Sequence, residues 1–146
     1  MRYYLPVLLI AFCIAATKAL DENVKDKILG TFRKCRNQHP ISDKEVQQIK
    51  NFESVPSSRE AKCLAACMLK EAGMLRDGKY NKEVAKFVAE GVHEDQQEVV
   101  KSKEMIDHCT AKVGEFAGDD ECEFAYRMAI CSHDYAKKVG IKKLYF

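Results

Sequence analysis

Cysteine spacing constrains this chain more than any other feature. Seven cysteines occur in 146 residues, and six of them fall between Cys35 and Cys131. The seventh, Cys13, lies in a segment that reads as a secretory leader. Arg2 supplies the positive start, Leu5 to Ala16 is an almost unbroken apolar run, and Thr17 and Ala19 are small residues at the cleavage positions. Residues 1–19 are therefore expected to be removed, leaving residues 20–146 as the mature domain. Pro6 and the abrupt switch to Asp21-Glu22 suit a cleaved leader better than a core helix that stays attached. The run is also too short to span a bilayer, so no membrane span is expected. Cleavage takes Arg2, Lys18 and Cys13 with it. What remains has 22 basic residues against 22 acidic ones, and six cysteines. A neutral chain gives no charge-based reason to bind nucleic acid. An even cysteine count in a small exported chain implies disulfides, and the lack of any Cys-x-x-Cys pair argues against zinc.

Apolar periodicity predicts an all-α fold of six helices. The first spans about 21–37, with Val24, Ile28, Phe32 and Cys35 on one stripe. Ser42 and Glu45 have capping-box spacing, flanked by Ile41 and Val46 as a hydrophobic staple, and open a second helix reaching about Phe52. Ser57 and Glu60 repeat that spacing and open a third, whose stripe is Ala61, Leu64, Ala65, Met68 and Ala72, closed by Gly73. Arg76 to Lys79 reads as a turn, and no alternating strand pattern is visible. Asn81 caps a fourth helix with Val84, Phe87, Val88 and Val92 apolar. Asp95 and Glu98 open a fifth that carries Val99, Ile106, Cys109 and Val113. A sixth runs from Gly118-Asp119-Asp120 through Phe124, Met128 and Cys131 to Gly140.

Helix geometry limits how the cysteines pair. Cys122 and Cys131 sit on one helix ~13 Å apart along its axis and on opposite sides, too far for a bond. Cys63 and Cys67 share a face, but their parallel Cβ directions make a bond between them poor. Ten of the fifteen pairings remain open on these grounds. The spacing Cys35-x27-Cys63-x3-Cys67-x41-Cys109-x12-Cys122-x8-Cys131 then resembles that of the insect odorant-binding proteins, in which the x3 and x8 gaps are invariable. Cys63-Leu64-Ala65-Ala66-Cys67 to Gly73, followed by Asp77-Gly78-Lys79-Tyr80-Asn81, is similar to that family's third helix and following loop. The resemblance covers the whole mature chain. It implies the interlocked pairing Cys35–Cys67, Cys63–Cys122 and Cys109–Cys131, holding a compact six-helix domain around an internal hydrophobic cavity.

Nothing in the sequence equips an enzyme. Ser42, Ser54, Ser57, Ser58, Ser102 and Ser132 lie outside any nucleophile elbow, the cysteines are expected to be oxidised, and no phosphate loop or His-Glu-x-x-His occurs. His108 next to Cys109 lacks the doubled Cys and calcium loop of secreted phospholipases. Asp119-Asp120-Glu121 suits a helix N-terminus better than calcium. No cofactor is expected. The resemblance implies a secreted carrier of small hydrophobic volatiles, odorants or pheromones, moved through aqueous lymph toward an olfactory receptor. It also admits a carrier of lipids, hormones or toxins outside chemosensory tissue. The chain would act as a monomer or weak homodimer.

Carried over by position, the resemblance places Ala65, Leu69, Tyr80, Ala125 and Ala129 in the pocket wall. Apolar periodicity adds Phe32, Met68, Met74, Val84, Phe87, Val88, Met105 and Met128. Methionines suit a tolerant wall, and the Tyr80 hydroxyl would offer a polar handle. The tail 141–146 is strongly apolar, so Leu144, Tyr145 and Phe146 are expected to fold back as a lid, with the Phe146 ring in the pocket. His108 and His133, beside the expected bridge between helices five and six, are candidates for a pH response.

Overall fold

A computed structural model describes residues 23–141. Helix α1 occupies 23–38. It is followed by α2 (Asp43–Lys50), α3 (Arg59–Glu71), a short hairpin of β1 (Leu75–Arg76) and β2 (Lys79–Tyr80), α4 (Lys82–Val92), α5 (Gln96–Val113) and α6 (Glu121–Val139). The expected Leu144–Phe146 lid and the leader lie outside the described residues, and so does the wall position given to Phe146.

The caps explain where the helices begin. Ser42 accepts from the Glu45 amide while the Glu45 carboxylate accepts from the Ser42 amide, closing the expected capping box of α2. Burial of Ile41 and Val46 beside it completes the local fit. The α3 cap is one residue later than expected: Ser58, not Ser57, accepts from the Ala61 amide. This shift moves Glu60 out of the N3 position. The nearby Ser58 hydroxyl is also the main cause that lowers the Glu45 carboxyl of α2 below the usual range, ahead of the Ser42 amide. Helix α2 stops at Lys50, short of the expected Phe52. Asn51 is its C-cap and Phe52 is left-handed at φ 56°, a conformation costly for a bulky residue. The Phe52 ring lies 4.6 Å from His133, and His133 Nε2 is 3.3 Å from the Phe52 carbonyl, so α6 holds this strained corner in place.

The hairpin departs from the all-helical expectation. Leu75 pairs with Tyr80 and Arg76 with Lys79 across Asp77-Gly78, both left-handed as a tight hairpin turn requires. Strands of two residues are too short to show an alternating pattern, although Leu75 and Tyr80 do point inward and Arg76 and Lys79 outward. The link between α5 and α6 joins the same edge: Tyr80 N–H donates to the Glu115 carbonyl at 2.7 Å and Ala117 N–H to that of Gly78 at 2.8 Å.

Three disulfides fix the helices to one another. Cys35–Cys67 joins α1 to α3, Cys63–Cys122 joins α3 to α6, and Cys109–Cys131 joins α5 to α6. This is the pairing the family resemblance implied. Bridges of this kind stabilise by about 2–4 kcal/mol each through loop closure, and the three interlock, so their effects do not simply add. Helix α3 packs along α6, which also packs on α5, and α5 packs on α4.

Candidate functional site

The buried apolar side chains form two clusters rather than one. The first gathers the hairpin, α4, α5 and α6 around Leu75, Tyr80, Ile106, Phe124 and Met128. The second gathers α1, α2 and α3 around Cys35, Ile41, Val46, Leu64 and Cys67. Each has a fringe of half-buried apolar residues. Leu69, Met74, Met105 and Val113 edge the first cluster, and Phe32, Ile49 and Met68 edge the second. Met68 and Leu69 are chain neighbours on α3 yet edge different clusters, so α3 runs along the boundary between the two. These seven fringe residues carry no ionisable group. Three of them are methionines, flexible enough to reshape around different apolar partners.

The structure distributes the sequence candidates unevenly. Phe32, Met68, Leu69, Met74 and Met105 all lie in the half-buried fringe. Ala65, Val84, Val88 and Ala129 are also half-buried. Tyr80, Ala125 and Met128 are packed in the core, Ala125 at 1% exposure. The Tyr80 ring meets Phe124 at 6.1 Å, and burial pushes its phenol up to about 12. Phe87 departs from the expected wall: the residue is 73% exposed. The small residues Ala85 and Ala89 let α4 close against α5, and Phe87 points about 200° away from Ala85 around the helix.

Sequence reasoning missed a polar group at the start of α5. Glu98 and Ser102 are buried on the face that also carries Ile106 and Cys109. Ser102 Oγ lies 2.9 Å from His93 Nε2, and Lys101 Nζ donates to Glu98 Oε1 at 3.3 Å. Burial lowers the His93 pKa, opposed by the nearby Glu98 charge. The available signal was registry: Glu98 and Ser102 fall in phase with the apolar stripe, where polar residues need internal partners. The candidate pH groups fare differently. His108 is exposed with its ring 5.0 Å from Tyr135, and His133 sits between Phe52 and Asp134.

On the opposite side of α3 is a cleft of about 260 Å³, lined by Gln38, His39, Cys63, Ala66, Cys67, Lys70, Glu71, Glu121 and Cys122. Its wall is half polar in character, with Lys70 paired to Glu121 and Glu71 to Lys34. It contains none of the seven fringe residues, although Cys67 belongs both to the second cluster and to the cleft wall.

The sequence matches the PBP/GOBP family over residues 17–135. The chain belongs to this family. It is 28% identical over 145 residues to general odorant-binding protein 19d of Drosophila melanogaster, covering 95% of this chain and 94% of that one. General odorant-binding protein 28a of the same organism is 29% identical over 143 residues, covering 93% and 96%. Among solved structures, odorant-binding protein dmelOBP28a from Drosophila melanogaster superposes with a TM-score of 0.67 at 25% identity, over 84% of this chain and 99% of that one. The three bridges and six helices thus form the scaffold of a secreted carrier of hydrophobic ligands. Among the described residues no helix is long and apolar enough to cross a membrane, and no three His, Cys, Asp or Glu side chains gather as a metal site.

Proposed function

We propose that this protein carries small volatile hydrophobic molecules, odorants or pheromones, through an aqueous secretion to chemosensory receptors. The ligand sits at the boundary between the two apolar clusters, against Phe32, Met68, Leu69, Met74 and Met105. The supporting observation is that half-buried fringe. Disulfides tie its walls from three directions, so the fringe need not collapse into one core, and an apolar molecule between the clusters removes surface that the protein alone leaves partly wet. A ligand of ~10–15 carbons gains several kcal/mol at ~25 cal/mol per Å², less the cost of ordering, which corresponds to micromolar affinity. Residues 1–19 direct export and are removed in the process.

The secreted protein is titrated with 1-anilinonaphthalene-8-sulfonate, which is then displaced with volatile alcohols and esters of that size. Displacement at micromolar concentrations is expected. Leu69→Asp should weaken it about ten-fold or more in protein that remains folded by circular dichroism, whereas Phe87→Asp should leave it unchanged. Displacement by long-chain fatty acids but by no volatile would overturn the chemosensory reading and leave a lipid carrier.

A further inference from the structure

The three disulfides are not equally shielded. Cys35 and Cys109 are fully buried, Cys131 is 5% exposed and Cys67 8%, while Cys63 and Cys122 are both half-buried. The cleft of about 260 Å³ beside α3 has both members of the Cys63–Cys122 bridge in its wall. Of the Cys35–Cys67 bridge it reaches only Cys67, whose sulfur lies 3.8 Å beneath the Gln38 side-chain oxygen. The Cys109–Cys131 bridge is not in the cleft at all.

The two sulfurs of the accessible bridge differ as leaving groups. Cys122 is the second residue of α6, two positions after the cap Asp120 and within the first turn of a 19-residue helix. A thiolate there is stabilised by the helix N-terminus, which lowers its pKa. Cys63 is the fifth residue of α3, beyond that helix's first turn. Exchange is faster when the departing sulfur has the lower pKa, so the favoured attack is on Cys63. The acids in the wall do little to repel an entering anion, because Glu121 is paired with Lys70 and Glu71 with Lys34.

We propose that Cys63–Cys122 is a thiol–disulfide exchange site for small thiols entering from this cleft. The thiolate attacks Cys63 Sγ and forms a new sulfur–sulfur bond there. The Sγ–Sγ bond breaks, its electron pair leaves with Cys122, and the Cys122 thiolate takes up a proton from solvent. A second thiol, as its thiolate, attacks the external sulfur of this mixed disulfide and frees Cys63. The balance is two small thiols oxidised to one small disulfide and one protein bridge reduced to two thiols. The other two bridges still tie α1 to α3 and α5 to α6.

The test treats the native, fully oxidised protein at pH 8 with limiting 2-mercaptoethanol and no denaturant. Aliquots are quenched with iodoacetamide and mapped as peptides by mass spectrometry. The expected first product carries mercaptoethanol on Cys63 and an alkyl group on Cys122, and appears at least about ten-fold faster than any modification of the other four cysteines. Three results would overturn the proposal. They are first modification at Cys35, Cys67, Cys109 or Cys131, equal rates at all six, or a first product with the adduct on Cys122 and Cys63 alkylated.

Discussion

Tyr80 and His93 show how single side chains couple this fold to pH. The phenol of Tyr80 ordinarily titrates at 10.0, and burial raises it to about 12. The folded state therefore holds a proton that the unfolded chain gives up first. Tyr80's contribution to stability is complete below pH 10 and is lost as pH rises toward about 12. Absorbance titration of the mature protein at 295 nm should show a late phenol step, and Tyr80→Phe should abolish it. His93 works in the opposite sense. Burial lowers its pKa from 6.5, so the unfolded chain binds the proton first on acidification. Its contribution is complete above pH 6.5 and is lost as pH falls below that value. Thermal melts between pH 7.5 and pH 5 should show a shallower acid slope for His93→Asn than for the wild type. Neither coupling was legible in the sequence, because both depend on what surrounds the side chain and not on its spacing.

The local signals that the chain does display act at the scale of the element. The Ser42–Glu45 box was readable because both partners lie within four residues, and Asn81 because its side chain accepts from the Glu83 and Val84 amides just after it. Ser57 and Ser58 are ambiguous for the same local reason, since either hydroxyl could begin α3, and the pull of Ser58 on the Glu45 carboxyl of α2 is tertiary. Ser58→Ala is therefore expected to cost about 1 kcal/mol of stability, while Ser57→Ala stays within about 0.5 kcal/mol, measured by urea unfolding. The Asp77-Gly78 pair announced a turn, but the hairpin around it rests on the α5–α6 link that pairs with it. Periodicity placed Phe87 on an apolar stripe of α4 correctly as a pattern. Whether an apolar residue at the edge of such a stripe is covered depends on the size of its neighbours, and Ala85 and Ala89 draw α5 onto their own side.

Across the whole molecule, cysteine spacing carried most of the architecture. Once the six cysteines pair as they do, α3 is held between α1 and α6, and α5 is held to α6. Which apolar residues belong to a single core and which to the edge between two was not legible. That distinction is set by how far α1–α2 and α4–α6 approach each other, and both groups show the same helical stripe in sequence. Phe32, Met68, Met74 and Met105 share their apolar periodicity with Met128, yet these four lie at the fringe with Leu69, while Met128 and the neighbouring Ala125 are packed in the core. This boundary is the proposed seat of the hydrophobic ligand. The direct measurement is a crystal structure of the secreted protein with a bromine-labelled ten-carbon alcohol, with the bromine located by anomalous scattering. The expected peak lies between the two clusters, in contact with side chains among Phe32, Met68, Leu69, Met74 and Met105. A peak found only in the cleft beside Lys70 and Cys122, or only on the surface at Phe87, would place the ligand elsewhere and overturn the proposed site.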